Sequence, residues 1–170
     1  MKYTPPPTLR GDWDAAAFFE NILPLNILAA THDFRFARVS GLDGFEQAVN
    51  QMQSAPAILC VSDLADGYTE LNNIPRTRRV KTVFLAMRHK AEDMDARARC
   101  METMRELFRQ LMSRLIPEKT RLEQNSIFLD PRISFTEIDR YFFSGAAGAY
   151  FQIAVDCYTD LIFRPYEWTQ

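Results

Sequence analysis

The sequence has few of the residues that bind metal ions or form redox centres. Its 170 residues include two histidines and three cysteines. Cys60, Cys100 and Cys157 lie far apart in apolar segments, so neither a CxxC pair nor a zinc-ligand spacing occurs. We therefore expect reduced, buried thiols, and we expect neither a metal ion nor another cofactor.

Long apolar runs and an excess of one charge are also missing. No segment approaches the roughly 20 apolar residues of a membrane-spanning helix, and the chain does not open with a signal-peptide pattern. Its 20 basic residues face 22 acidic ones, so the net charge is −2. This balance argues against binding to DNA or to a membrane by overall charge. We expect a cytoplasmic protein.

The sequence does contain enough apolar residues for one domain. Hydrophobic residues make up 47% of the chain, which is typical of a globular protein with its own core. The first residues differ, because Pro5, Pro6 and Pro7 favour an extended polyproline conformation. We predict a flexible arm over residues 1–11, which is either a solvated tail or an arm lying on a neighbouring subunit. Residues 12–170 are predicted to form a single α+β domain.

One long helix organises the predicted fold. Apolar residues recur at steps of three and four from Met94 to Leu115, which is the period of one helix face. Acidic residues near the start and basic residues near the end suit the helix dipole. The pattern predicts a helix over residues 91–116, and Pro117 is expected to end it.

Two hairpins are predicted on either side of this helix. Residues 56–62 and 79–89 form the first, with residues 64–78 as a long loop between its strands. Residues 133–143 and 149–163 form the second. The predicted fold is α+β, with a mostly antiparallel sheet of about four to five strands, helices packed on one face, and one long helix between the two hairpins.

The N-terminal third of the domain predicts shorter elements. Asp12 is a suitable N-cap for a helix that begins at Trp13 and is interrupted at Pro24. A short strand over residues 34–40 follows. Phe45 and Val49 then lie on the buried face of another short helix.

Two groups of charged residues are candidates for chemistry. Glu137 and Asp139 share a face of a predicted strand, so they are candidates for an acid/base pair, although a solvated strand face gives the same pattern. Arg76, Arg78 and Arg79 either keep an edge soluble or contact an acidic partner or a passing DNA backbone.

Four segments resemble one known family in their pattern and order. They are residues 54–61 (SAPAILCV), the strand 80–87 followed by Arg88 and His89, the Ala/Arg-rich helix after it, and the C-terminal residues 158–163 (YTDLIF). Over roughly residues 56–163 the chain resembles the Mu-like prophage tail completion proteins. These proteins belong to the wider tail-terminator group of long-tailed phages.

The resemblance implies a structural, non-enzymatic role in virion assembly. Proteins of this group form a ring, usually of six copies, on a finished tail tube. The ring stops tube polymerisation and offers a docking face to the head. The implied partners are further copies of the chain, the tail tube protein and a head-completion protein, with DNA only passing through the lumen and no membrane. The implied location is the cytoplasm during assembly and then the virion tail.

By analogy with this group, residues 64–78 are the partner interface. Tyr68, Leu71 and Ile74 would be its apolar anchors, and a further set of basic residues would line the lumen or bridge subunits: Arg76, Arg78 and Arg79. Two other functions stay open. One is a small cytoplasmic enzyme that uses Glu137 and Asp139, and the other is an adaptor domain that binds a partner at a sheet edge.

Overall fold

The computed structural model describes residues 13–51, 56–138 and 145–168. The predicted arm and Asp12 lie outside these ranges. The helices are α1 (Ala15–Ile22), α2 (Ile27–Thr31), α3 (Gly41–Gln51) and α4 (Met94–Glu123), with 3-10 turns at Leu23–Leu25 and Pro165–Glu167. The strands are β1 (Phe34–Val39), β2 (Ala57–Ser62), β3 (Asp66–Thr69), β4 (Arg76–Arg88), β5 (Ile127–Leu129), β6 (Phe135–Ile138) and β7 (Ala146–Tyr158).

These strands form one mixed sheet. At its centre, β4 and β7 pair in antiparallel register over their full 13 residues, from Arg76 opposite Tyr158 to Arg88 opposite Ala146. β2 and β3 pair with successive parts of the other edge of β4, and β5 and β6 do the same on β7. β1 pairs with β2 in parallel. The sheet therefore radiates from one long strand pair.

The predicted sheet of four to five mostly antiparallel strands is wrong, because the described part of the chain already contributes seven strands to one mixed sheet. α3 lies in the connection between β1 and β2, and such a crossover allows the two strands to run parallel. β3 has four residues and lies within the segment 64–78 that was predicted to be a loop. A strand this short leaves too little alternation to be recognised from sequence.

Helices cover both faces of the sheet, so the predicted single helix layer is also wrong. α1, α2 and α4 pack on one face, here called the α4 face, against side chains that include Leu59, Leu85 and Phe151. α3 packs on the opposite face, here called the α3 face, where Phe45 stacks on Phe84 with ring centroids 4.6 Å apart. Because side chains alternate along a strand, β2 and β4 contribute to two cores at once.

α4 runs through Pro117 for 30 residues, and the predicted end at Ile116 is wrong. Pro117 is exposed, so its ring meets no packed neighbour. Beyond it, Leu122 is buried in the core with 2% of its surface exposed, and the indole N–H of Trp13 donates to Glu118 at 2.9 Å. These contacts hold the last turns in helical form despite the missing backbone donor.

The N-terminal elements follow the predicted order. The carboxylate of Asp14, rather than Asp12, accepts the N-cap hydrogen bond from Ala17 at 3.0 Å, so α1 begins at Ala15. The interruption at Pro24 is confirmed, because the chain passes through a 3-10 turn there before α2. α1 and α2 therefore pack on the α4 face of the sheet.

Candidate interaction surface

β3 and the start of β4 form a hairpin at one end of the sheet. It carries all six residues predicted as a partner interface, and Tyr68 lies opposite Arg78 in its register. The tip of the hairpin is residues 70–75, where Leu71 is 88% exposed and Ile74 is 62% exposed. Segment 64–78 is thus a defined hairpin rather than an irregular loop.

Polar contacts give the tip its shape. The backbone N–H of Glu70 donates to the carbonyl of Arg76 at 2.9 Å. The Asn72 side chain accepts a hydrogen bond from the N–H of Ile74 at 3.0 Å and donates one to the Glu70 carboxylate at 3.1 Å. These bonds use the backbone N–H groups of Glu70 and Ile74, hold the turn from both sides and leave the side chains of Leu71 and Ile74 exposed.

A glycine allows β3 to pair this closely with β4. A Cβ atom built on Gly67 would overlap the carbonyl oxygen of Arg78. Glycine is the residue without that atom, so the backbone can make the approach at this position without a clash. The placement of Tyr68 and of the tip therefore depends on Gly67.

The three predicted arginines lie on two faces of the sheet. Strand alternation places Arg76 and Arg78 on the α3 face and Arg79 on the α4 face. Arg78 forms ion pairs with Asp130 and, at 2.9 Å, with Asp156, and its side chain is 24% exposed. Its charge is therefore already balanced within its own chain.

This ion-pair group joins three parts of the sheet. Asp130 follows β5, Asp156 lies in β7, and Arg78 lies in β4 between β3 and β7. Hydrogen bonds from the backbone N–H of Arg132 and from the Arg78 side chain hold the pKa of Asp130 below its ordinary value. The bond to Asp130 raises the pKa of Arg78 in turn. Both groups stay charged at neutral pH, and the group fastens the hairpin end of the sheet.

Exposed aromatic rings surround this group on the α3 face. The guanidinium carbon of Arg76 lies 5.0 Å from the centroid of the Phe128 ring, which is a cation–π contact. Register places Tyr68, Phe128 and Tyr158 on the same face of the sheet, and each is exposed. α3 covers the other end of this face, so these rings have no helix over them.

The C-terminal segment adds further exposed apolar residues at the same end. The strand predicted to reach residue 163 ends at Tyr158, because the Asp160 carboxylate accepts a hydrogen bond from the N–H of Ile162 at 3.0 Å and turns the chain. The N–H of Thr159 donates to Pro75 at 3.0 Å and ties the segment to the hairpin tip. We call the exposed apolar residues that the register and the tip place at this end the hairpin-end surface: Tyr68, Leu71, Ile74, Phe128 and Tyr158. The segment after Thr159 carries further exposed apolar side chains: Leu161, Ile162, Phe163, Tyr166 and Trp168.

A second exposed apolar site lies on the helix layer. Leu25 and Ile27, at the turn between α1 and α2, are 77% and 84% exposed. Between them, Asn26 accepts the N-cap bond of α2 from Ala29 at 2.8 Å and donates to Gln110 of α4 at 2.8 Å. The turn and α4 enclose a shallow groove of about 450 Å³, here called the corner groove, lined by Ile22, Leu25, Asn26, Gln110, Leu111, Ser113 and Arg114. Nothing in the sequence pattern separates these apolar residues from buried ones.

Of the two candidate catalytic carboxylates, Glu137 and Asp139, the structure describes only Glu137. Glu137 lies on β6 and accepts a hydrogen bond from Arg105 of α4 at 2.6 Å, and both side chains are exposed. Asp139 lies outside the described residues. Glu137 is therefore part of a surface ion pair, which is an ordinary use of a carboxylate on a strand that flanks a helix.

The described cysteines and helices carry no sign of metal or membrane chemistry. Burial raises the pKa of the Cys60 thiol to about 12 and raises that of Cys100 above its ordinary value, so both stay protonated. Within residues 13–51, 56–138 and 145–168, no three His, Cys, Asp or Glu side chains are grouped as metal ligands. Among the helices of these ranges, none has the length and apolar character that a membrane span needs.

Fold and surface together define an α+β protein with a mixed sheet and with exposed apolar residues at the hairpin end and beside the corner groove. No protein-family model matches the chain, and no curated protein matches it either.

Proposed function

We propose that this protein is a structural phage tail protein of the tail-terminator kind, which binds the end of the tail tube as a ring and breaks no bonds. The observation that carries the proposal is the hairpin-end surface, which gathers large apolar side chains at one end of the sheet. The proposal joins that surface to the resemblance of residues 56–163 to the tail-completion proteins.

The energetics of exposed apolar surface support a partner. Covering a side chain such as Leu71 or Ile74 contributes about 1.5–3 kcal/mol. Contiguous apolar patches of more than a few hundred Å² are uncommon on proteins that act alone. Because the hydrogen bonds of the tip hold it in shape, little conformational entropy is lost when a partner covers it. The tube protein and further copies of the chain are the partners that we assign.

The charged residues at the hairpin end are consistent with a ring whose inner surface lets DNA pass. Arg78 is balanced by Asp130 and Asp156, and Arg76 lies over the ring of Phe128. Binding of DNA by counterion release needs basic side chains that reach phosphates. A ring in which Arg76 and Arg78 are held in this way would bind passing DNA less strongly than one with free arginines at these positions.

Electron microscopy of tail tubes tests the proposal. The protein is mixed with tubes assembled from the tube protein encoded in the same gene cluster, and we expect a ring at one tube end. Ile74→Glu should abolish the ring, because it places a carboxylate in the apolar contact. Ile116→Glu is the matched control, since Ile116 is 69% exposed but lies on α4, and it should leave the ring intact.

Two results would contradict the proposal. One is the absence of rings on tubes at any protein concentration. The other is equal ring formation by wild type and Ile74→Glu. The genome gives a separate check, because genes for a portal, a tape-measure protein and a tube protein should lie beside the gene of this chain.

A further inference from the structure

We propose that the hairpin tip of one copy docks into the corner groove of the next copy. The inference rests on the proposed function, in which copies of the chain stand side by side in a ring. It assigns the contact between neighbours to two sites of this chain, the tip at residues 70–75 and the groove between the α1–α2 turn and α4.

One site projects and the other is concave, and both expose apolar side chains. The tip is a narrow turn with two exposed apolar side chains, Leu71 and Ile74. The corner groove is a shallow concave site with Leu25 at its edge and Ile27 beside it, both largely exposed. Each site therefore has the apolar area that the other would cover.

The charges beside the two sites are opposite. Glu70 at the tip is exposed, and its carboxylate accepts a hydrogen bond from Asn72. Arg114 lines the corner groove and is exposed. Glu118, one turn on, accepts its hydrogen bonds from Arg121 and Trp13. The bond from Arg121 lowers the pKa of Glu118 most, and the charge of Arg114 helps to lower it. The exposed guanidinium of Arg114 can therefore donate to a second carboxylate, and Glu70 of the next copy supplies one.

The positions of the sites give the contact its direction. The tip lies at the start of β4 on the sheet, whereas the groove lies on the helix layer beside α4. A contact between two different sites is heterologous, so every copy offers one tip and one groove. Repetition of such a contact builds a ring when the rotation closes. A docked tip with two apolar anchors is a small contact, so the ring gains its strength from many copies held on one tube.

Cysteine cross-linking in the free protein tests this contact even when it is weak. Leu71→Cys and Leu25→Cys variants are mixed at high concentration under mild oxidation, and disulfide-linked dimers are resolved by electrophoresis and mass spectrometry, since Leu25 lines the groove. We expect a mixed dimer at least tenfold above that formed by either variant alone. A chain that carries both substitutions should give a ladder of covalent oligomers.

Ile116→Cys replaces Leu25→Cys in the matched control, since Ile116 is exposed on α4 outside the groove lining. A mixed dimer no more abundant than in this control would overturn the inference. A charge exchange gives a second arm, because Glu70→Arg and Arg114→Glu should each lower the cross-linking yield severalfold and should restore it when combined. If the combined charge exchange did not restore the cross-linking yield, the assigned charge pair and the docking geometry would both be refuted.

The same experiment separates this inference from the proposed function. Cross-linking through tip and groove without binding to tail tubes would support the contact between copies and refute the tube as a partner. Rings on tubes with no such cross-link would keep the function and refute the contact.

Discussion

Gly67 is the residue on which the hairpin most directly depends. Its missing side chain leaves room for the carbonyl of Arg78, which no other residue type would do. We predict that Gly67→Ala weakens the β3–β4 pairing by about 1–3 kcal/mol, because backbone atoms must move apart. Hydrogen exchange at the amides of β3 should become about 5- to 150-fold faster, since about 1.4 kcal/mol corresponds to a factor of ten.

Gly44→Ala is the matched control for this prediction. A Cβ atom at Gly44 would lie 3.5 Å from the Val39 side chain, which is ordinary van der Waals contact. Gly44 lies inside α3, where alanine is favoured over glycine by about 0.5–1 kcal/mol. This variant should therefore be as stable as wild type or slightly more stable. Unchanged exchange in β3 of Gly67→Ala would contradict the close approach.

Asp130 makes the stability of the hairpin end depend on pH. Its pKa is lowered in the folded protein, first by the hydrogen bond from the Arg132 backbone and then by Arg78. A carboxyl group with a lowered folded pKa stabilises the protein fully above its unfolded pKa of about 3.9, and loses that contribution as the pH falls through the folded value. We predict that Asp130→Asn costs about 1 kcal/mol at pH 7, and that its difference from wild type shrinks below about pH 4.

Urea denaturation from about pH 2.5 to about pH 7 measures this dependence, because carboxyl groups titrate within that range. Asp33→Asn is the control, because Asp33 pairs with Arg35 on the surface with 46% of its side chain exposed, and such pairs contribute little. A constant difference between Asp130→Asn and wild type over the whole range would refute the role of the Asp130 carboxylate.

Several residue-scale features follow from sequence alone, whereas others need the fold. Alternation predicts correctly that Phe151, Ile153 and Val155 share a buried face, since a strand period of two is visible over many residues. The partners of Arg78 could not be predicted, because Asp130 and Asp156 are 52 and 78 residues away in the chain. The register of β4 against β7 brings Asp156 to Arg78, and the pairing of β5 with β7 brings Asp130 there.

At the scale of elements, α4 shows how packing overrides a local signal. A proline inside a helix removes one backbone hydrogen bond, and this is the reason that Pro117 predicts an end. The sequence also holds the opposing signal, since Leu122 continues the apolar spacing of Leu111 and Leu115. The free energy gained by burying Leu122 exceeds the free energy lost with the backbone hydrogen bond at Pro117.

Replacing this proline should therefore strengthen the helix. We predict that Pro117→Ala raises the free energy of unfolding by about 1 kcal/mol, because an N–H donor returns at an exposed position and part of that gain is offset by a freer unfolded chain. Thermal and urea denaturation measure the change. Pro75→Ala is the control, since Pro75 lies in the hairpin connection outside any helix and its removal should give no increase. A Pro117→Ala variant less stable than wild type would contradict this account of α4.

The hairpin shows the opposite limit of prediction from sequence. Segment 64–78 has no periodicity because its strand β3 has four residues, all exposed, and its turn is held by Asn72 and Glu70. The analogy that assigned this segment to a partner interface named the residues of the tip. It did not name Leu25 and Ile27, because two apolar residues at a helix turn resemble core residues until the fold leaves them uncovered.

At the scale of the whole molecule, two cores share one set of strands. Leu85 of β4 belongs to the core under α4, and its neighbour Phe84 belongs to the core under α3. β2 and the second half of β4 are apolar on both faces, which predicts covered strands but does not say which helix covers which side. The parallel pairing of β1 and the placement of α3 on the opposite face depend on the crossover, and no local pattern records it.

The shared strands should make the molecule unfold as one unit. Val49 of α3 is 3% exposed, and Val49→Ala removes about 2 kcal/mol of packing from the α3 face. In a Trp168→Phe background, Trp13 is the only tryptophan, and it packs on the α4 face. We predict that Val49→Ala lowers the urea midpoint seen by Trp13 fluorescence as much as the midpoint seen by far-UV circular dichroism, because loss of the α3 core frees strands that the α4 core needs.

Leu107→Ala, on the α4 face, is the companion variant and should shift both signals together. If the α3 side unfolded separately, the fluorescence midpoint of Val49→Ala would stay at the wild-type value, and β4 would not be the element that couples the two cores.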